Sequence, residues 1–227
     1  MMLTRLACAA GLLLALACPL QAAPAYSVKI VADSAPPKEI QEPIRKLLAE
    51  QCVQLIDARG NTLAELWFCK EVAVKATETQ VKNGLTYREV PISTLVGAIR
   101  VPKTLFDYRK QKIKAGVYTL RLALQPMDGD HMGTAPYSEF CLVSPAEDDK
   151  KPDLLEAKSL HELSGKSTEG HPAALVLFPG KGAGAEAKLE NKGMGHWVLL
   201  IQLNASTGTI KGKFDLGLTL VGASASV

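Results

Sequence analysis

Short segments in which apolar and polar residues alternate make up most of the chain after residue 50. The clearest is 116–125, where large apolar residues occupy every second position from Tyr118 to Leu124. The positions between them include Thr119 and Arg121. Alternation with a period of two residues is typical of a strand that buries one face. The pattern therefore predicts a half-buried strand, with Thr119 and Arg121 on its polar face.

Further apolar segments extend this pattern along the chain. They predict strands over 52–57, 62–75, 140–144, 173–178, 196–203 and 210–221. Gly60-Asn61 and Asn83-Gly84 each have the composition of a two-residue hairpin turn. The segment 204–209 is expected to form the loop that joins the last two strands into a further hairpin.

Helical spacing is found in only two places. Apolar residues recur at intervals of three and four from Ile40 to Leu48, and Pro43 is compatible only with the first turn of a helix. A short helix is therefore predicted over about 43–50. The segment 154–164 predicts a second short helix, with its leucines toward the core.

Many short strands with little helix predict an all-β, mainly antiparallel, sandwich-like fold with one or two short helices. We expect residues 24–227 to form a single domain, because the strands after residue 153 are too few to enclose a core alone. The charged segment 146–153 is expected to be a solvated connector, and it is the alternative place for a subdivision.

The first 23 residues have the pattern of a secretory signal peptide. Arg5 precedes an apolar run of 13 residues that ends at Cys18, and the small residues Ala22 and Ala23 follow. A membrane span needs about 20 apolar residues, so cleavage and a periplasmic or secreted location are predicted, with no membrane span in the mature chain. A lipid anchor at Cys18 is the alternative, since the residues before it loosely resemble a lipobox.

Composition and net charge limit the kinds of partner that the protein is expected to bind. The chain has 26 basic and 23 acidic side chains, a formal net charge of +3. Nucleic-acid-binding proteins usually carry a strong basic excess, so no nucleic-acid partner is expected. The apolar content of 47% indicates a folded chain rather than a disordered one.

Three cysteines remain after the predicted cleavage, in a compartment that permits disulfides. If Gly60 and Asn61 form the turn, Cys52 lies opposite Cys69 at a non-hydrogen-bonded position, where side chains come closest. This spacing predicts a Cys52–Cys69 disulfide, which a single β-bulge in the hairpin would prevent. The alternatives are a bond from either residue to Cys141, or three unpaired cysteines in the core.

No standard catalytic or nucleotide-binding motif is present in the sequence. Asp128, Asp130, Gly133 and Glu139 match four positions of a calcium-binding loop. Met132 occupies a position that needs a hard oxygen ligand, so this match is partial.

Soft ligands offer a second interpretation of the same segment. Met127, His131 and Met132 lie close together in the sequence, and Met194 and His196 form a second group at the start of a late strand. Imidazole and thioether groups suit copper. The sequence does not show whether the two groups meet in space.

The segment Lys114–Leu120 resembles a recurrent β-sandwich signature in which a turn that ends in glycine leads into a strand bearing a tyrosine. Together with the signal peptide and the GDHMGTAP segment, it resembles uncharacterised secreted bacterial proteins of unknown function. This resemblance implies a sandwich and an extracytoplasmic location, and it assigns no catalytic residue.

The leading hypothesis is a secreted or periplasmic, non-enzymatic binding or structural accessory protein, for a ligand or protein partner that the sequence does not identify. It would act through the loops around 126–139 and 180–196. An extracytoplasmic copper- or calcium-binding protein is the alternative, and an uncharacterised hydrolase is the third. The sequence requires no cofactor and identifies no catalytic residue. The candidate ligand-binding residues are Asp128, Asp130, His131, Met132 and His196.

Overall fold

The computed structural model describes residues 25–126 and 133–224. Strands dominate it, which confirms the prediction of an all-β fold. The strands are β1 (Tyr26–Ala32), β2 (Gln51–Asp57), β3 (Thr62–Phe68), β4 (Val72–Ala73), β5 (Leu95–Phe106), β6 (Lys112–Leu124), β7 (Glu139–Pro145), β8 (Ala173–Pro179), β9 (Lys188–Asn191), β10 (Trp197–Thr207) and β11 (Ile210–Val221). The helices are α1 (Glu42–Arg45), α2 (Glu78–Asn83) and α3 (Ala157–Gly165), and a 3₁₀ helix spans Tyr87–Glu89.

One mainly antiparallel sheet contains all of these strands. Its order is β1-β2-β3-β5-β6-β7-β8-β11-β10, and the far edge of β10 pairs with antiparallel β9 at one end and parallel β4 at the other. The sheet curls so far that β1 approaches β9. The Tyr26 ring there meets the edge of the Trp197 ring, with centroids 5.4 Å apart. The curled sheet is sandwich-like, as predicted.

The concave face of the sheet encloses the main core. Alternate residues of strands from both halves of the sheet meet there, and the completely buried ones include Leu66, Ile99, Leu120, Leu199 and Phe214. Because side chains alternate across a strand, the apolar positions at a spacing of two form this face.

Strands β6, β7 and β8 are also covered on their outer face. A second apolar cluster there includes Phe140, Leu142, Ala174 and Val176, and Leu160 of α3 packs on it. Beneath this cover the strands are buried on both sides, which includes residues 118–123 of β6, and the prediction that β6 is only half-buried is wrong there.

A buried ion pair explains how β6 can carry a charged residue beneath this cover. Arg121 is completely buried and Asp149 is 2% exposed. Nε and Nη2 of Arg121 donate to the two carboxylate oxygens of Asp149 at 2.8 and 2.9 Å. The carbonyl oxygens of Ser93, Lys151 and Asp153 accept the remaining three N–H groups at 2.5–3.0 Å. All five guanidinium donors are thus used, as a buried arginine requires.

The same ion pair corrects the prediction for segment 146–153. This segment is not simply a solvated connector, because Asp149 reaches into the protein and also accepts a hydrogen bond of 2.6 Å from the Thr119 hydroxyl. The segment is thereby attached to β6.

The predicted helices are confirmed in place, and one helix was missed. α1 begins near the predicted start but ends at Arg45, and α3 matches the predicted second helix. α2 begins with a reciprocal capping box between Thr77 and Gln80, and Gly84 ends it with φ +96°. The hairpin predicted at Asn83-Gly84 is therefore wrong. In the described part of the chain, no helix is both long and apolar enough to cross a membrane.

The last hairpin is tighter than predicted. Thr207 pairs with Ile210, so its loop contains only Gly208 and Thr209. Gly208 supplies the positive φ, +58°, that a two-residue turn favours. The predicted loop at 204–209 is wrong in length, although the hairpin itself is confirmed.

The predicted Cys52–Cys69 disulfide is wrong. The β2–β3 loop spans 58–61 instead of two residues, and the register shifts next to it, so Val53 pairs with Leu66. Continued by one residue, this register places Cys52 opposite Trp67. The backbone of Cys69 instead forms an isolated antiparallel β-bridge with Leu48, and its thiol donates to the Leu95 carbonyl at 3.5 Å. Cys52, Cys69 and Cys141 are all free and buried.

We expect the three core cysteines to be reduced in the folded protein. Alkylation in denaturant without a reductant, followed by peptide mapping, should label Cys52, Cys69 and Cys141 completely. Their burial should also protect them from the same reagent under native conditions. Recovery of a Cys52–Cys69 crosslinked peptide would contradict the observed register.

Arg121→Met is expected to destabilise the protein strongly, because it leaves the Asp149 carboxylate buried without its counter-charge. The free energy of unfolding should fall by about 3–5 kcal/mol in urea unfolding followed by tryptophan fluorescence. Complete loss of the folded state would agree with this.

Arg100→Met is the matched control, because Arg100 and Glu65 form a partly exposed ion pair at 3.2 Å. Pairs of this kind contribute less than about 1 kcal/mol. Equal effects of the two substitutions would contradict a special role for the buried pair.

Candidate functional site

A cavity of about 390 Å³ lies on the outer face of β6, β7 and β8. Its floor is apolar and consists of side chains that these strands direct away from the main core: Ala123, Phe140, Leu142 and Ala174. Tyr108 forms one wall. The cavity therefore belongs to the second apolar cluster.

Small side chains leave room for this cavity beneath its cover. Ala123 and Ala174 lie in the floor, and Ala135 lies in the segment that precedes β7. A methyl group fills little of the space between the strands and the segments above them. The loop at 107–111 and the tail near Ser224 complete the enclosure.

The carboxylate of Asp107 fixes the loop that carries Tyr108. Its Oδ1 accepts from the backbone N–H groups of Arg109 and Gln111 at 2.9 and 2.7 Å. Its Oδ2 accepts from Nε2 of Gln111 at 2.8 Å and from the backbone of Ala174 on β8 at 3.1 Å. The N–H of Tyr108 donates to the Ala174 carbonyl at 2.8 Å, so the loop is held against the cavity floor.

Burial acts against the charge on Asp107. This residue is completely buried, and the loss of hydration raises the pKa of its carboxyl group, although the four hydrogen bonds act in the opposite direction.

A second loop repeats this arrangement on the exposed surface. Oδ1 of Asp57 accepts from the backbone N–H groups of Arg59 and Asn61 at 2.9 and 2.8 Å. Gly60 and Lys110 both have positive φ, +82° and +63°, at the same position of the two loops.

The sequences of the two loops, DARGN at 57–61 and DYRKQ at 107–111, share aspartate and arginine two residues apart. Only the second loop lines the cavity, and it carries Tyr108 where the first carries Ala58. This repeat is the sequence signal that could have drawn attention to Tyr108 and Arg109.

Polar side chains also line the cavity, and none of the lining residues that the structure describes is acidic. They include Arg109, His161, His171 and Gln125. Nδ1 of His171 lies 3.1 Å from the carbonyl oxygen of Pro172, its own neighbour in the chain. Among the described lining residues, Arg109 is the only arginine, lysine, aspartate or glutamate.

His196, one of the predicted ligand-binding residues, supports the Tyr108 wall. Its ring stacks on the Tyr108 ring with centroids 5.6 Å apart, and Nε2 lies 3.3 Å from the tyrosine hydroxyl. Nδ1 lies 3.2 Å from the Gly193 carbonyl, so both ring nitrogens have hydrogen-bonding neighbours. His196 is 7% exposed, whereas Met194 is 86% exposed, and the two side chains therefore occupy different environments.

The other predicted ligand-binding residues lie outside the described part of the chain, and their roles stay predictions. In residues 25–126 and 133–224, no three His, Cys, Asp or Glu side chains are grouped closely enough to hold a metal ion. The residues concerned are Asp128, Asp130, His131 and Met132.

The serine that lines the cavity is hydrogen-bonded, and the cysteines of the main core are protonated at neutral pH. The hydroxyl of Ser224, a lining residue, donates to the Thr134 carbonyl at 2.7 Å. Burial raises the pKa of the Cys52 and Cys69 thiols to about 11 and about 12, and it raises that of Cys141 as well. Thiols with such pKa values are poor nucleophiles at neutral pH.

No family model, curated protein or solved structure matches the chain.

We expect Asp107→Asn to destabilise the protein more than Asp57→Asn. The amide that replaces the Asp107 carboxylate turns an N–H₂ group toward buried N–H donors, a loss of about 1–3 kcal/mol. Water can replace the lost hydrogen bonds at the exposed Asp57. Urea unfolding of both variants at neutral pH measures the difference, and equal losses would contradict the anchoring role of Asp107.

The two aspartates should also have opposite pH dependence. The raised pKa of Asp107 means that its contribution to stability is present below its unfolded pKa and is lost as pH rises through its folded pKa. Hydrogen bonds from Asn61 lower the pKa of Asp57, so its contribution is present above the unfolded pKa and is lost as pH falls through the folded pKa. We therefore compare the free energy of unfolding of the wild type with that of each Asn variant between about pH 3 and pH 6. The difference should change with pH in opposite directions for Asp107→Asn and Asp57→Asn.

Proposed function

We propose that this protein is a non-enzymatic binding module that holds a small molecule with an apolar body in the cavity beside Tyr108. The observation that carries the proposal is the apolar floor on β6–β8, enclosed by a loop with fixed hydrogen bonds. Cavities of about 300–1,000 Å³ with mostly apolar walls and a few polar groups are typical of small-molecule sites. At about 390 Å³, this cavity lies at the small end of that range.

The wall of the cavity is fixed before any ligand arrives. Hydrogen bonds fix the backbone of Tyr108, and one of them is donated by the N–H of Ser224 to the Tyr108 carbonyl at 2.8 Å. The His196 ring stacks on the Tyr108 ring. A preformed site avoids much of the entropic cost of ordering side chains on binding. This rigidity supports a binding role.

The signal-peptide pattern in residues 1–23 supports a location outside the cytoplasm. We propose that the module acts in the periplasm or after secretion. There it would take up its ligand from the surrounding fluid.

Filling the cavity should abolish binding of a neutral apolar probe. N-phenyl-1-naphthylamine becomes fluorescent in apolar surroundings, so we expect a saturable signal with the wild-type protein. Ala135→Phe places a ring in the cavity volume and should weaken the apparent affinity at least about tenfold, equivalent to about 1.4 kcal/mol.

Ala58→Phe is the matched control for this experiment. It adds the same ring at the exposed position that corresponds to Tyr108 in the repeated loop, away from the cavity. Its probe titration should resemble that of the wild type. Absence of saturable binding to the wild type, or equal binding to Ala135→Phe, would reject the proposed function.

A further inference from the structure

We infer that the ligand is an amphipathic anion, an apolar body with one carboxylate-like group that pairs with Arg109. This inference rests on the proposed function, since it assigns the chemical class of ligand to the same cavity. It commits to one charged contact and one apolar surface.

The Arg109 guanidinium is the first feature that indicates an anionic ligand. Its side chain lines the cavity and is partly buried, and it makes no hydrogen bond or ion pair within residues 25–126 and 133–224. A guanidinium that loses part of its hydration at a cavity gains from an acidic partner, because an ion pair offsets the cost of dehydration. A ligand carboxylate can supply two parallel hydrogen bonds to this group.

The carboxylate nearest to Arg109 in the sequence is already engaged by other donors. Asp107 is two residues away, but its four hydrogen bonds come from backbone N–H groups and from Gln111. Arg109 contributes its backbone N–H to this arrangement and no side-chain donor. The Arg109 and Asp107 side chains therefore form no ion pair with each other.

The composition of the cavity lining also favours an anion with an apolar body. Among the described residues, no acidic side chain lines the cavity to repel an anion, whereas His161 and His171 add two imidazoles. The apolar floor and the single cation lie in the same cavity. A molecule with an apolar body and one acidic group matches both features, whereas a neutral apolar molecule leaves the guanidinium without a counter-charge.

A matched pair of ligands tests the charge directly. 1-Naphthoate and 1-naphthamide have nearly the same shape, and only the first is an anion. By isothermal titration calorimetry at low salt, we expect the wild type to bind the acid at least about tenfold more tightly than the amide. Added salt should reduce this preference, because it screens a partly exposed ion pair.

Substitutions of Arg109 test whether this residue causes the preference for the acid. Arg109→Gln should bring the ratio of the two affinities close to one, and Arg109→Lys should restore part of the preference. Arg59→Gln is the matched control, because Arg59 has the same place in the repeated loop but lies on the exposed surface. The control should keep the wild-type ratio, and thermal unfolding should confirm that each variant is folded.

Dodecanoate distinguishes an aliphatic ligand from an aromatic one, since both belong to the proposed class. Tighter binding of dodecanoate than of 1-naphthoate would assign an aliphatic body, and the reverse would assign an aromatic body. Equal binding of 1-naphthoate and 1-naphthamide to the wild type would overturn the inference, as would a preference that persists in Arg109→Gln. If the neutral fluorescent probe still binds and Ala135→Phe still weakens it, the proposed function survives that result.

Discussion

Arg121 carries a full positive charge beneath the outer cover of the sheet, and the segments around it are arranged to satisfy that charge. A buried guanidinium is tolerated only when a counter-charge and enough acceptors surround it. Asp149 supplies the counter-charge, and three backbone carbonyls supply the remaining acceptors. Those carbonyls belong to Ser93, before β5, and to the connector after β7. The ion pair therefore fixes the path of this connector across the sheet.

The position of α3 follows from that path. The connector leads directly into α3, whose Leu160 packs on the outer face of β7 and β8 and whose His161 lines the cavity. The pair thus links a single charge on β6 to the burial of a second face on three strands. Buried ion pairs are often no more stabilising than apolar contacts of similar volume. Here the ion pair determines where the connector and α3 lie on the sheet.

Much of the fold could be predicted from the sequence, because alternation along each strand reports directly on a local property, the face that is buried. Pairing was harder, because the β2–β3 loop is longer than the predicted two-residue turn and the register shifts beside it, so Cys52 lies opposite Trp67 and not opposite Cys69. A local pattern also could not predict whether the polar face of a strand is exposed or covered. Thr119 and Arg121 alternate as solvent-facing residues would, and only the later connector and α3 determine that they are buried.

The candidate site was less predictable for the same physical reason. Tyr108, Phe140, His171 and Ser224 are far apart in sequence, and only the strand order β5-β6-β7-β8 brings their segments together. Sequence reasoning selected His196 for its possible ligand chemistry. The structure places His196 behind Tyr108 as part of the wall.

The repeated aspartate loops show how one local structure can acquire two different roles. Both loops are closed by a carboxylate that accepts backbone N–H groups, and both present an arginine at the same position. The loop at 57–61 ends its hairpin in solvent, whereas the Asp107 carboxylate also accepts a hydrogen bond from the backbone N–H of Ala174 on β8. Together with the hydrogen bond from the Tyr108 N–H to the Ala174 carbonyl, this contact holds the loop at 107–111 against the cavity floor and places Arg109 where its charge can act on a bound molecule. The local sequence specifies the loop, and its contact with β8 gives it a function.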